Sequence, residues 1–338
     1  MSLFNVRLNK NLYSVYAVNN VKNKQKFFDE LNKLNELNKL NLNDKNNSIK
    51  LCFDYEFNFK KIGLAQVMIS YKDKSNNVFL FDPKHFNHTE SKFIRDSLYL
   101  NSFPKILHGS ESLDIPYIYN QVLGGNLNLI KKFSSTIIDT RFKCELIGNK
   151  KCSLYEALHD SDSINDKQYK ALEKLYKDNG KVYKINWDVN RLNLSQFMYA
   201  AYDVIFLRRL SRSLDKKIKS IGLNPLLLNE YVRFTLLFRN GYFDLDKNIN
   251  VNLITNNVNL ITNNVNLITN NANLITNNVN LITNNANLIT NNAIFNIQYI
   301  KNPCLTLVKN YLTNTDKINK LLEDYGFYLI KNDLSKFN

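Results

Sequence analysis

Apolar residues change their spacing several times along the chain, and each change marks an element. Residues 12–18 (LYSVYAV) alternate as a β-strand, and 22–41 place Phe28, Leu31, Leu34, Leu37 and Leu40 at near-helical spacing on a lysine-rich amphipathic helix. Three short β-rich runs follow at 49–53, 63–71 and 78–81, separated by turn residues such as KDKSNN. They predict three consecutive strands of a meander. Helical and strand-like pieces then alternate: a helix at 91–101, a strand at 105–108, a helix near 114–122 and a strand at 135–139. That succession predicts an α/β sheet domain, and from Asn193 onward the pattern is helical.

Residues 251–292 break the pattern. A seven-residue unit, VNLITNN with Val or Ala first, repeats six times without a charge, Gly or Pro. Val and Ile at spacings of three and four mimic a coiled-coil seam, but three Asn and one Thr per unit each cost roughly half a kcal/mol of helix propensity against Ala. The unit reads as a low-complexity insert, either a stacked solenoid with Asn-Asn corners or an unfolded loop. The chain accordingly divides into a sheet domain at 1–220, a helical extension at 221–250, the insert at 251–292 and a helical segment at 293–338.

Composition narrows the class. With 44% apolar and 22% charged residues the chain is expected to be globular. No apolar run is long enough to span a bilayer, and the start MSLFNVRLNKN lacks the apolar core of a secretory signal. A soluble, intracellular, non-secreted protein without a membrane partner is the expectation. Cys52, Cys144, Cys152 and Cys304 include no CxxC pair and are expected as reduced thiols, with neither a disulfide framework nor a zinc site. The net charge of +15 ordinarily points to a polyanion. Abundant Asn and a large excess of Lys over Arg are also what AT-rich codons produce, so the position of the charge matters more than its sum.

Carboxylates beside buried strands carry the candidate chemistry, because an ionised carboxylate out of water needs a partner or a metal. Asp54 and Glu56 end the strand IKLCFDYEF two residues apart, so both point to one face of the sheet. They form either a solvated strand end or a cation site. Asp203 follows Tyr199 by four residues on a helix that Asn193 can cap, which puts phenol and carboxylate one turn apart on one face. Asp114, in HGSESLD after the strand KILHG, is either a helix cap or a third acidic member.

Together, Asp-x-Glu at a strand end, Asp114 beyond a later strand and Tyr-x-x-x-Asp on a helix resemble the DEDDy branch of the 3′-to-5′ exonucleases. Ribonuclease D, the exosome-associated exonuclease and the Werner-type exonuclease belong to it. The likeness runs from about Tyr13 to Leu210 and includes FDYEF, IGLAQVMISY, VFLFDP, KILHG, IIDTRF, CSLYEAL and WDVNRLNLSQFMYAAYDVIFL. Two departures stand out. The step from His108 to Asp114 is one residue longer than usual in ribonuclease D-like members, which leaves Glu111 as an alternative ligand. The family's Arg-Pro dipeptide is Asn190-Arg191 here.

The resemblance implies a ribonuclease H-like mixed sheet flanked by helices and two Mg²⁺ or Mn²⁺ ions held by Asp54, Glu56, Asp114 and Asp203. By the same carry-over Tyr199 orients the attacking water. The reaction implied is hydrolysis of RNA or DNA from a single-stranded 3′ end, releasing nucleoside 5′-monophosphates. Phe57 and Leu113, beside the implied ligands, are candidates to wedge the terminal bases. In the basic run 208–219, Arg208 and Arg212 either track upstream phosphates or form a solvated outer face. His108 is expected to support its strand end, and Asp139 to cap a helix near the site. The rival readings are a catalytically weak nucleic-acid-binding protein that retains the fold, and a related carboxylate nuclease that cuts internally.

Overall fold

The computed structural model describes residues 3–8, 11–40, 49–59, 61–71, 75–147 and 152–220, with single positions between 225 and 242. The repeat at 251–292, the segment 293–338, Cys304 and most of the extension at 221–250 lie outside the described residues. Within that extension Leu228, Val232 and Leu236, four residues apart, are buried.

The strands are β1 (Leu3–Leu8), β2 (Asn11–Ala17), β3 (Lys50–Asn58), β4 (Lys61–Ser70), β5 (Ser75–Phe81), β6 (Lys105–Leu107) and β7 (Ile137–Asp139). They form one sheet in the order β1-β2-β5-β4-β3-β6-β7. Strands β3, β4 and β5 pair antiparallel, as the meander predicts, while β6 and β7 continue parallel on the other side of β3. This is a mixed α/β sheet, as the sequence predicts. At the far edge β2 pairs parallel to β5, and β1 pairs antiparallel to β2. Strand β1 goes beyond the elements that the pattern predicts: Phe4, Val6 and Leu8 do alternate with polar residues, but over only six positions.

Because β3 lies inside the sheet, its run Leu51-Cys52-Phe53 is buried on both faces. One face, carrying Cys52, Met68, Val78 and Leu80, packs against Phe197, Ala200, Ala201 and Val204 of α8 (Leu194–Ile205). Two adjacent alanines let this helix approach the sheet closely. Asn193 starts it with a capping box, its side chain accepting from Gln196 N while the Gln196 side chain accepts from Asn193 N. The helical pattern from Asn193 onward resolves into two helices here, since the chain turns at Phe206 before α9 (Leu207–Ser220).

The opposite face is aromatic. Phe27 of α1 (Val21–Lys39) places its ring 4.9 Å from Phe79 and 5.0 Å from Phe81. Tyr55 and Tyr99 share a hydroxyl hydrogen bond of 2.9 Å beneath α2 (His88–Ile94) and α3 (Asp114–Tyr117). Each of these helices widens into a π-helical turn, Arg95–Tyr99 and Ile118–Val122, in place of the uninterrupted α-helix that the sequence predicts. Helix α4 (Leu127–Ser134) follows, and α5 (Thr140–Leu146), α6 (Leu154–Asp160) and α7 (Asp166–Asn179) come after β7.

Two local features hold the region of the acidic residues. Gly63 lies where a Cβ would stand 2.6 Å from Asn58 Nδ2 and 2.8 Å from the Trp187 carbonyl oxygen, so only glycine admits the loop that leads into α8. That loop is tied down by Trp187 N donating to Asn58 Oδ1 at 2.8 Å. The second feature corrects the expectation of reduced thiols: Cys144 and Cys152 form a disulfide across eight residues, while Cys52 is a buried free thiol. Spacing alone conceals this pairing, which needs the two Cα atoms to stand 5.9 Å apart in the fold.

Candidate metal centre

The strand period sets the first half of the site. Asp54 and Glu56 emerge from β3 on the face that α8 covers, and a register shift between Glu56 and Phe57 ends the regular alternation just beyond them. The helix supplies the other half. Asp203, in the last turns of α8, turns toward the sheet and is buried, whereas Asp54 and Glu56 are half-buried. One carboxylate oxygen from each of Asp54, Glu56 and Asp203 lies within 4.8 Å of the other two. Tyr199 stands one turn earlier on the same helix, close enough for its phenol to favour the ionised Asp203 carboxylate.

Asp114 does not join that tight group. It opens α3 as the first helical residue, with Leu113 in the cap position, so it is not the helix cap that its sequence context allows. It is nonetheless buried and close enough for the Asp54 charge to act on it. The alternative, Glu111, is half-buried in the turn before α3 and lies outside the three-carboxylate group.

Asp139 fixes the turn that delivers Asp114. Its carboxylate accepts from Gly109 N (3.0 Å), Ser110 N (2.9 Å), Ser110 Oγ (2.7 Å) and Arg141 N (2.9 Å). The last bond caps α5 and the other three clamp the Gly109–Ser110 turn, whose Ser110 carbonyl then accepts from Ile115 N. His108 is structural, its Nδ1 paired with Thr140 Oγ1 and its Nε2 with the Cys152 carbonyl.

Electrostatics set the acids apart from ordinary surface carboxylates. Burial pushes Asp54 up to about 7, against the opposing pull of hydrogen bonds from Tyr55 N and Gln66. Glu56 is raised well above its usual range by burial and then by the charges of Asp54 and Asp203. Asp203 is raised by burial and by Asp54, opposed by the Tyr155 and Tyr199 phenols, and Asp114 by burial and then by Asp54 and Asp139. The Tyr199 phenol is also raised, first by burial and then by Asp203, so it holds its proton at neutral pH. Mutual repulsion among buried all-oxygen donors is relieved by protons or by a hard divalent cation, and oxygen ligands suit Mg²⁺ or Mn²⁺.

Two residues of this centre escape sequence reasoning. Tyr155, from α6, donates to Asp203 Oδ1 at 3.1 Å and meets the Tyr199 ring nearly edge-on at 6.4 Å. Gln66, wholly buried on β4, sits opposite Asp54 in the strand register. With its amide nitrogen toward the acceptors, it donates to Asp54 Oδ2 at 2.9 Å and to the Ala200 carbonyl at 2.8 Å, joining strand and helix. The sequence does hold a signal for Gln66: one amide inside the otherwise apolar GLAQVMI must find partners. Tyr155 carries no such mark.

The expected substrate contacts are dispersed. Phe57 is half-buried and packs edge-on against Tyr117 at 6.0 Å, and Leu113 is 45% exposed beside Asp114. Arg212 is exposed on α9. Arg208 donates to Ser70 Oγ (2.5 Å) and to the Tyr71 carbonyl (2.9 Å). Ser70 faces Lys50, four residues from Asp54 along β3, which places this guanidinium about 13 Å along the strand from the acids.

No family model matches the chain. An uncharacterized protein of Acanthamoeba polyphaga mimivirus is 30% identical over 257 residues, which cover 68% of this chain and 49% of the relative, so the chain spans about half the length of the curated relative it matches. Among solved structures, the chain is similar to the catalytic core of RRP6 from Trypanosoma brucei, with a TM-score of 0.43, 15% identity, and 69% of this chain and 54% of that one covered. Brucella melitensis NrnC bound to pGG gives a TM-score of 0.39, 16% identity, and coverage of 60% and 87%. The Aedes aegypti Nibbler EXO domain gives 0.38, 16%, and coverage of 69% and 99%.

Proposed function

We propose that the chain is a divalent-metal-dependent 3′-to-5′ exonuclease acting on single-stranded ends of RNA or DNA. The observation that carries this reading is the meeting of Asp54, Glu56 and Asp203 within 4.8 Å, with Tyr199 one helical turn before Asp203. Asp54, Glu56 and Asp203 would hold the cation, and Asp114, which follows β6, would complete the set. When bound, Mg²⁺ or Mn²⁺ supplies charge neutralisation at the phosphodiester and a more acidic attacking water.

The remaining work falls to the chain's own groups. Tyr199, protonated, orients the attacking water through its hydroxyl and does not serve as a strong base. Tyr155 and Gln66 hold the carboxylates of Asp203 and Asp54 in place. Asp139 fixes the turn from which Asp114 projects. In the balanced reaction, water oxygen bonds to phosphorus and the bond from phosphorus to the 3′ oxygen breaks. The shortened strand keeps a 3′-hydroxyl, and the released unit carries the 5′-phosphate.

The test is incubation of the protein with a 5′-labelled single strand and Mg²⁺ or Mn²⁺. A ladder that shortens from the 3′ end, and disappears with EDTA and in Asp54→Ala or Asp203→Ala, is the expected result. Internal cuts, or binding without cleavage, overturn it.

A further inference from the structure

A concave feature lies apart from the acidic group. On the sheet face opposite α8, a cavity of about 690 Å³ opens between the ends of β4 and β5, the turn Pro83–His85, α2 and the segment 121–124. That volume falls in the range of roughly 300–1,000 Å³ typical of sites that enclose a small molecule.

Its lining is sorted by chemistry. The floor is apolar and aromatic, with Phe81, Phe86 and Tyr99 buried. The rim carries Lys61, Lys84, His88, Lys92 and Arg95, and no Asp or Glu lines it. Arg95 is paired with Asp96 at 2.9 Å, whereas Lys61, Lys84 and Lys92 are exposed and have no carboxylate partner among the described residues. In a solvated outer face, basic and acidic residues alternate. Here the cations surround a concavity floored by rings. An apolar floor below, the half-buried Tyr117 ring beside it and exposed cations above are complementary to a base and its phosphate.

One ring links the cavity to the acidic centre. Tyr117 lines the cavity, lies one helical turn after Asp114 and packs edge-on against Phe57, the residue next to Glu56. A strand whose end lies at the carboxylates therefore has an aromatic path to the cavity.

We propose that this cavity is a second nucleotide subsite, separate from the metal centre, that takes an upstream unit of the single-stranded nucleic acid with its base on the aromatic floor and its phosphate on Lys84 and Lys92. This rests on the nuclease reading for its substrate class, but its test does not require turnover.

The test uses the full chain in EDTA and a fluorescent single strand of about twelve nucleotides, with anisotropy read across a salt series. Lys84→Glu/Lys92→Glu is compared with Lys170→Glu/Lys174→Glu, which makes the same charge change at exposed positions of α7. The expected result is at least a ten-fold weaker Kd in the first variant only. Its slope of log K against log salt should be smaller by about 0.7, the change for the one phosphate that is no longer neutralised. Equal weakening in both variants shows general electrostatics alone and overturns the subsite, as does no weakening in either. A free 5′-mononucleotide that binds the wild type as tightly as the strand, and fails to bind the same variant, overturns the strand as occupant. Hydrolysis in Mg²⁺ is scored separately, so failure of the nuclease reading is recognised by itself.

Discussion

Tyr155 donates its phenolic hydrogen to Asp203 Oδ1 at 3.1 Å, and Tyr199 stands one turn before the same carboxylate on α8. The two phenols approach one acid from different helices, and they differ in what they can do. Tyr199 belongs to the helix that carries Asp203, and in the proposed reaction it orients the attacking water. Tyr155 acts through Asp203 and is a positioning residue. Tyr155→Phe is therefore expected to raise the Mn²⁺ concentration needed for half-maximal activity and to lower kcat, by about 10–100-fold in all, as losses of outer-shell partners do. Tyr199→Phe should lower kcat with little change in that metal requirement. Metal titrations of both variants check the difference.

Asp139→Asn should disturb the centre without touching it. The amide places an NH₂ where three N–H groups and a hydroxyl now donate, so at least one buried donor loses its acceptor. A loss of about 1–3 kcal/mol is expected in urea unfolding. Activity should fall further than stability explains, because the Gly109–Ser110 turn sets Asp114. Full activity at full folding would contradict this role.

Metal and pH should be coupled in a defined direction. Burial raises Asp54 from its ordinary 3.8 to about 7, and Glu56, Asp114 and Asp203 shift the same way. The folded metal-free protein thus holds protons that the unfolded chain releases. Stability in EDTA is accordingly present in full below pH about 4 and declines as pH rises toward about 7. A divalent cation replaces those protons, so the gain in Tm from Mg²⁺ or Mn²⁺ should be larger at pH 8 than at pH 5. Thermal melts at both values, with and without EDTA, give the answer, and an equal gain at both would refute the coupling.

Gly63→Ala is expected to destabilise by about 1–3 kcal/mol, the range for overpacking against atoms that cannot withdraw. The added methyl meets Asn58 Nδ2 at 2.6 Å and the Trp187 carbonyl at 2.8 Å, and the latter is backbone. Gly124→Ala serves as the comparison: nothing stands within 4 Å of its Cβ, though its positive φ carries a strain of its own. A Gly63→Ala protein as stable as the wild type would show that the Trp187 loop can move.

Much of the sheet is legible in the sequence because its information is local. The meander residues 49–81 alternate or run apolar within single strands, and Asp54 and Glu56 share a face by the strand period alone. Asp203 with Tyr199 follows from helical spacing. What stays hidden depends on contacts between distant segments. Tyr155 reaches Asp203 only after α6 has packed, and the Cys144–Cys152 pair forms only when the fold brings its two Cα atoms to 5.9 Å. The cavity takes its lining from β4, β5, α2 and the end of the π-helical turn after α3, so no stretch of sequence displays it. Arg208 shows the converse: its place in a basic run suggests phosphate, yet its guanidinium is bonded to the end of β4.

Strand β3 is made early in synthesis and α8 late, and that order governs when the centre exists. Elongation at roughly 5–20 residues per second puts about 7–30 s between the emergence of Asp54 and that of Asp203. During that interval the meander can form, but its acids face water and lack the third carboxylate of the tight group. A nascent chain, or one truncated before residue 203, is therefore expected to have no hydrolytic capacity, and the proposed nuclease action is expected to begin only after α8 has cleared the ribosome and packed onto the sheet.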